Sequence, residues 1–390
     1  MEAGGTAPCF CLKKKEEMWM KAALIGGGFA GGIHALALRA CGVELGAVVT
    51  RKEETAREFA RKWGIPCWGT DPELALKKDI DAVHICTPPT SHRVFVKEAL
   101  RSGKSVFCEK PLCIDPEEAW DLVKLAEESG KACAVNYNVR FHMAVQRARE
   151  ILGSGKFGKP LLIHGSYLQE FHILPAPFDW RYDPETAGNM RAVTEIGSHW
   201  IDTAQYVSGK KVMAVSAWFG NFYPDRVVKD GIMESAEEPE AVYGQAAQQT
   251  PRDHPQEKER SGNTGNRLHV TSEDAACVSF RYEDGAIGNV MLSEISPGRG
   301  NRLALEIACE RGSLWWNEEE NNVLHTAVRG EGVHTQIFAF GNGFEDTFVT
   351  LMKHFYEGGE YPSFREAAQV AEVCAAIEKS AGNASEWRKV

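Results

Sequence analysis

The chain has 390 residues, too many for one ordinary core and enough for two domains. Its 43% hydrophobic and 25% charged residues are globular composition, which excludes a fibrous or wholly disordered protein. A formal charge of −10 gives a nucleic acid or an anionic membrane no electrostatic hold, so neither is expected as a partner and a small solute is.

Residues 1–19 are polar, with Lys13-Lys14-Lys15 behind Cys9 and Cys11. A secretory signal would place charge first and an apolar stretch after it, so these residues read as an N-terminal extension, with Met18 and Met20 as alternative starts. From Met20 the spacing predicts a strand to Ile25, a helix over Phe29–Ala40, a strand over Leu45–Val49 and a helix over Glu53–Arg61. Strands at Ala82–Cys86, Ser105–Cys108 and Ala132–Val135 alternate with helices at Val94–Leu100 and Pro116–Glu128, the latter capped by Asp115. This alternation predicts a doubly wound parallel Rossmann sheet over residues 20–140.

Beyond Phe141 a helix (Ala144–Leu152) leads into longer strand-like runs at Leu161–Leu168, Met213–Phe219, Ala275–Tyr282, Ala286–Glu294 and Leu303–Ala308. Residues 141–390 are therefore expected to form an α+β domain on a mostly antiparallel sheet, ending in helices at Phe344–Tyr356 and Ser363–Ser380. Asp225–Asn266, rich in Glu, Gln, Pro and Gly, reads as a long surface excursion or partly disordered loop. The 11 cysteines are an odd number scattered through apolar segments, which points to free thiols of a reducing cytoplasm. Neither Cys9/Cys11 nor Cys108/Cys113 has zinc-ribbon spacing, and no metal is expected.

Gly26-Gly27-Gly28-Phe29-Ala30-Gly31 fits G-x-G-x-x-G between a strand and a helix. Gly26 allows the tight turn, Gly28 lets backbone approach a pyrophosphate, and Gly31 seats the helix on the strand. Phe29 opens that helix and joins the expected cofactor contacts. At the end of the second strand an acidic residue would bind a ribose 2′-hydroxyl; this chain has Thr50-Arg51, whose guanidinium suits a 2′-phosphate or the adenine face. NAD or NADP is the expected cofactor, with a lean toward NADP or toward both.

Lys110 follows a Rossmann strand, on the edge where such sheets bind ligands, and its ammonium suits a developing alkoxide. In the second half, Glu195, His199 and Asp202 are spaced i, i+4, i+7; on a helix they share one stripe, and a histidine between carboxylates is a proton acceptor. Tyr167, Gln169, His172, Trp180, Arg181 and Arg191 offer aromatic faces and hydrogen-bonding edges that suit a hydroxyl-rich ring.

Cys108-Glu109-Lys110-Pro111-Leu112, taken with the glycine turn, Thr87-Pro88-Pro89-Thr90-Ser91-His92 and Asn136-Tyr137-Asn138-Val139-Arg140-Phe141, resembles the glucose–fructose oxidoreductase / inositol dehydrogenase / MocA (Gfo/Idh/MocA) family. The likeness runs from Met20 to the C-terminus except for Asp225–Asn266, and Glu-Lys-Pro is its most specific element. It implies that Lys110 contacts the hydroxyl being oxidised, that Glu109, Thr87, Pro88 and His92 border the cofactor, and that Asn136 lies near the nicotinamide. It also implies that His199 and an aspartate four residues before it join the lysine in proton transfer; here that position is Glu195, one methylene longer. Phe178-Asp179-Trp180-Arg181-Tyr182 and Arg191 resemble the branch acting on sugars and glycosides, which puts Arg140, Tyr167, Gln169, Trp180, Arg181, Arg191 and Asp202 with Lys110 and His199 on the substrate side.

The expected activity is reversible oxidation of a secondary hydroxyl of a sugar, glycoside or inositol-like polyol. Two other readings stand beside it. One is a glycoside hydrolase working by transient oxidation, elimination and re-reduction, with Tyr167, His172 or Glu170 as extra base. The other is a non-catalytic nicotinamide-binding protein. An exposed sheet face makes a homodimer or homotetramer the expected assembly.

Overall fold

The computed structural model describes residues 20–235, 266–340 and 342–390; the extension at 1–19 and the middle of the expected excursion, 236–265, lie outside the described residues. The first unit runs β1 (Lys21–Ile25), α1 (Phe29–Ala40), β2 (Glu44–Val49), α2 (Glu53–Trp63), β3 (Cys67–Gly69), β4 (Ala82–Ile85), α3 (His92–Arg101), β5 (Ser105–Cys108), α4 (Pro116–Ser129) and β6 (Cys133–Val135). These strands form one six-stranded sheet in the order β3-β2-β1-β4-β5-β6, and every pairing in it is parallel. Its inner strands are buried on both faces, which explains why they read as continuous apolar runs rather than alternating ones. The order reverses between β1 and β4, and in open parallel sheets ligands bind at the carboxyl ends of the strands at such a point. Local caps agree with the sequence: Asp115 accepts from the Glu117 amide at 2.9 Å, and Gly64 closes α2 in the left-handed region.

The second unit comprises α5 (Met143–Gly153), β7 (Pro160–Leu168), β8 (Ala176–Pro177), α6 (Pro184–Ala187), α7 (Ser198–Ser208), β9 (Val212–Gly220), β10 (Asp225–Lys229), β11 (Ile232–Ser235), β12 (Asn266–His269), β13 (Ala275–Tyr282), β14 (Ile287–Ser293), β15 (Arg302–Cys309), β16 (Gly312–Asn317), β17 (Val323–Val328) and β18 (Val333–Ile337). After it come α8 (Phe344–Glu357), α9 (Phe364–Ala381) and β19 (Arg388–Lys389). The large sheet has nine strands, ordered β18-β17-β16-β15-β7-β14-β13-β9-β19, antiparallel except for the β7–β14 pair. β13 alternates buried and partly exposed residues, so one face carries a core. Trp200 of α7 stacks on Phe280 within it, with centroids 5.6 Å apart.

Two expectations need correction. The ends of the Asp225–Asn266 segment are strands, not a surface excursion: β10, β11 and β12 join β8 in a four-stranded sheet. The signal was local, since Asp230-Gly231, both with positive φ, is a two-residue hairpin turn between Lys229 and Ile232. Of the two C-terminal helices, α8 does not stay with the second unit. Phe348, Leu351, Met352 and Phe355 of α8 share a core with Leu24, Leu38 and Phe107, so α8 serves as a layer of the Rossmann unit.

Candidate active site

The glycine turn is built as its residues dictate. Gly26 has φ +110°, and a Cβ there would lie 2.5 Å from the Cys86 carbonyl oxygen. A Cβ at Gly31 would sit 2.2 Å from the Gly26 oxygen, so the helix start packs directly on the turn. Gly28 differs: it caps α1 with ordinary φ, and beyond its own stretch of chain nothing lies within 4 Å of where its Cβ would be. That open space faces the free amides of the first turn of α1, a cradle that fits a pyrophosphate. Phe29, 79% exposed, borders the same opening. Thr50 donates its hydroxyl to the Lys52 carbonyl at 2.7 Å, while Arg51 is exposed at the end of β2.

Lys110 leaves the end of β5, and its Nζ donates to the Glu195 backbone carbonyl at 2.8 Å and lies 3.3 Å from Glu195 Oε2. Arg181 Nε donates to the same Oε2 at 2.8 Å, and its NH1 donates to Asp179 at 2.8 Å. Burial pushes the Glu195 carboxyl up, but Lys110 and Arg181 outweigh it and hold the pKa at about 2. Glu195 is thus a fixed anion between two cations. His199 sits one turn further on, edge-on to Tyr137 with centroids 5.8 Å apart. Burial, then the nearby Lys110 ammonium, lower its pKa to about 3, so the ring is neutral, and its buried Nδ1 has no hydrogen-bond partner. The ammonium and the imidazole therefore share one neighbourhood, contributed by different units of the fold.

The expected single stripe of Glu195, His199 and Asp202 does not form. Val193–Gly197 is a π turn ahead of α7, and its wider winding separates Glu195 from the α-helical face. Gly197 permits this turn to press on β14, since a Cβ there would lie 2.6 Å from Leu292 Cδ1. Asp202 is instead clamped by Arg140, with Nε to Oδ2 at 2.7 Å and NH2 to Oδ1 at 2.5 Å, and Arg140 NH1 reaches Glu366 of α9 at 2.6 Å. Both partners are buried, so neither Arg140 nor Asp202 faces a substrate or orients His199.

Arg191 is also corrected from substrate contact to core. It has no solvent-exposed side-chain surface and pairs with Asp274 and, at 2.8 Å, with Glu294. Tyr167 and Gln169 are buried and each donates a hydrogen bond to Asn301 Oδ1, at 2.9 and 2.5 Å. Trp180 is half-buried, with the Arg181 guanidinium 4.6 Å above its ring, and this pair stays available at the rim.

On the cofactor side, His92 is buried with its ring nitrogens against the carbonyls of Thr87, at 2.7 Å, and Pro111, at 2.8 Å. It pins the Thr87-Pro88 loop to the Lys110-Pro111 loop rather than presenting a nitrogen to a ligand. Glu109 Oε1 accepts from Asn136 Nδ2 at 2.8 Å and meets His34 Nε2 at 2.9 Å, and its Oε2 accepts the Lys110 amide at 3.2 Å. Burial raises the Glu109 carboxyl, but His34, Lys110 and Asn136 together bring it below its ordinary value. His34 and His84 were not singled out from the sequence as site residues. The available signal was two histidines inside otherwise apolar runs, each needing a partner once buried. Among the described residues no group of three or more His, Cys, Asp or Glu side chains is placed to hold a metal ion.

A parallel sheet with a switch point between β1 and β4, a glycine turn left open at Gly28 and a lysine just past the end of β5 are the features of a nicotinamide-dependent oxidoreductase. Residues 20–137 match the family described as "Oxidoreductase family, NAD-binding Rossmann fold", and residues 145–315 match the "GFO/IDH/MocA C-terminal domain". The chain is 30% identical to levoglucosan dehydrogenase of Pseudarthrobacter phenanthrenivorans, over 93% of this chain and 96% of that protein. It is 26% identical to scyllo-inositol 2-dehydrogenase (NAD(+)) of Bacillus subtilis, over 87% and 86% of the two chains. A solved levoglucosan dehydrogenase in complex with NADH and L-sorbose superimposes with a TM-score of 0.82 at 27% identity, covering 95% of this chain and 98% of that one. The chain belongs to the Gfo/Idh/MocA family of oxidoreductases.

Proposed function

We propose that this protein oxidises a secondary hydroxyl of a sugar or sugar-like polyol to the ketone, reversibly, with NAD or NADP. The observation that carries the reading is the convergence of the Lys110 ammonium and the neutral His199 imidazole beside the carboxyl ends of β4, β5 and β6. Relatives named for levoglucosan and scyllo-inositol support the substrate class.

Gly26, Gly28, Phe29 and Gly31 would hold the pyrophosphate, Thr50 and Arg51 the adenosine end, and Thr87, Pro88 and Asn136 the nicotinamide end. The dinucleotide, when bound, supplies the hydride acceptor. Lys110 donates a hydrogen bond to the reacting oxygen and stabilises its alkoxide character. Neutral His199 accepts the hydroxyl proton, and its low pKa favours passing that proton on. Glu195 positions the ammonium through its carbonyl and carboxylate. Trp180 offers a face to the ring's C–H groups and Arg181 an edge to its hydroxyls.

The outer face of the large sheet carries exposed Trp218, Ile287 and Met291 opposite the core face, and a second copy of the chain is the occupant we assign to it, as homodimer or homotetramer. Nine free thiols in the described residues suit a reducing cytoplasm, and among those residues no helix is long and apolar enough to cross a membrane.

The test is incubation with NAD and with NADP against anhydrosugars, pyranoses, inositols and glycosides, following reduced-nicotinamide absorbance and product release together. Reduction with a sugar or polyol is expected. Glycoside cleavage without net reduction, or neither response across the panel, contradicts the proposal.

A further inference from the structure

Glu109 is the inner end of a buried chain that crosses the Rossmann unit. His34 Nδ1 lies 2.9 Å from His84 Nδ1, and His84 Nε2 lies 2.7 Å from the Tyr356 hydroxyl of α8. His34 and His84 are both fully buried; Tyr356 alone of the three keeps part of its surface in solvent. Two nitrogens of the same kind facing each other at this distance require one to carry a proton and the other to lack it, which restricts the proton orders sharply.

Burial disfavours a charged His84, and with that ring neutral two orders satisfy every contact with Glu109 ionised. In the first, Tyr356 donates to His84 Nε2, His84 Nδ1–H donates to His34 Nδ1, and His34 Nε2–H donates to Glu109. In the second, which holds one more proton, His34 is an imidazolium; its Nδ1–H donates to His84 Nδ1, whose Nε2–H donates to the Tyr356 oxygen. Passage from the first to the second moves the tyrosine proton to His84 Nε2 and the His84 Nδ1 proton to His34, while water restores the tyrosine. Three N–H or O–H bonds break, three form, one proton enters from solvent and no electron moves. His84 only changes tautomer and Tyr356 is neutral in both orders. That agrees with burial, helped by His34, pushing His84 well below the ordinary imidazole range and with burial pushing the Tyr356 phenol up.

We propose that His34, His84 and Tyr356 are a proton relay acting on Glu109, which charges His34 when the bound nicotinamide loses its positive charge on reduction. The proposal rests on the reading that a nicotinamide dinucleotide occupies this edge of the sheet. A carboxylate at the edge is matched by a cationic ring, and once the ring is neutral a proton at His34 restores the match. The three side chains are positioning residues, since none needs to touch substrate.

The test is titration calorimetry of the full chain with NAD, NADH, NADP and NADPH in buffers of different ionisation enthalpy, which counts protons taken up per site. The reduced form is expected to bind with a larger uptake than the oxidised form, by a fraction of one proton, and His34→Phe abolishes the difference. Tyr356→Phe keeps the count but slows uptake on the order of tenfold in stopped flow with an indicator dye, because the entry donor is gone. Equal counts for both forms in the wild type, an unchanged difference in His34→Phe, or unslowed uptake in Tyr356→Phe overturns the relay. If none of the four dinucleotides gives a binding heat, the dinucleotide reading itself fails and the relay falls with it. Should His34→Phe not fold, the wild-type counts and the Tyr356→Phe rate still decide.

Discussion

Lys110 is joined to Glu195 twice, by a 2.8 Å hydrogen bond to its backbone carbonyl and by a 3.3 Å approach to its carboxylate. The backbone contact fixes where the ammonium points, and the carboxylate places an opposite charge beside it. The first contact comes from the backbone and so does not depend on the length of the side chain at this position.

Lys110→Met should therefore remove the alkoxide-stabilising charge while leaving the glycine turn intact. Turnover is expected to fall by roughly 10²–10⁴-fold with dinucleotide affinity changed little. Steady-state rates beside fluorescence titration of the cofactor check this, and undiminished turnover rejects the role given to Lys110.

The same substitution should raise the pKa of His199, because the ammonium opposes protonation of the ring, although burial still holds it below its ordinary value. An unfolded imidazole titrates near ~6.5 and the folded one at about 3, so the stability gained by keeping the ring neutral is whole above the unfolded pKa and lost as pH falls toward the folded one. Ring nitrogen shifts in an NMR titration read the first effect. Denaturant midpoints between neutral pH and pH ~5 read the second, where a wild type losing no more stability than His199→Gln speaks against it.

Gly28→Ala and Gly31→Ala should separate binding from folding. The first adds a methyl to open space and should leave Tm unchanged while weakening the dinucleotide by about tenfold or more, since backbone approach to the pyrophosphate is blocked. The second drives a Cβ to 2.2 Å from the Gly26 oxygen and should destabilise the fold itself. Thermal melts and cofactor titration distinguish the two, and equal effects from both would contradict the placement of the cradle.

Arg140→Met tests whether this arginine belongs to architecture or to substrate. Leaving Asp202 buried without its partner should cost about 3–5 kcal/mol of stability. In the fraction that folds, KM should stay near that of the wild type. A large rise in KM with an unchanged denaturant midpoint would restore Arg140 to the substrate side.

Much of the site was legible because its signals are short. Gly26 to Gly31 carry their backbone requirements locally, Lys110 follows directly on β5, and Asp115 caps the helix that it precedes. Arg140, Asp202 and Arg191 were misplaced for the opposite reason. A charged residue reads alike whether it faces a ligand or a buried counter-ion, and their partners Glu366, Asp274 and Glu294 lie far along the chain. The stripe through Glu195, His199 and Asp202 failed because one π turn shifts the helical phase, and no residue type announces such a turn.

The sequence by itself determined the parallel β-α alternation, the glycine turn, the Glu-Lys-Pro edge and the family, all of which depend on contacts between near neighbours or on fixed local spacing. Tertiary structure alone decided that α8 returns to cover the Rossmann sheet, that Glu195 clasps Lys110, and that His34, His84 and Tyr356 line up behind Glu109. Those pairings are chosen by which buried polar groups must satisfy one another once the apolar layers close, and that choice exists only in three dimensions.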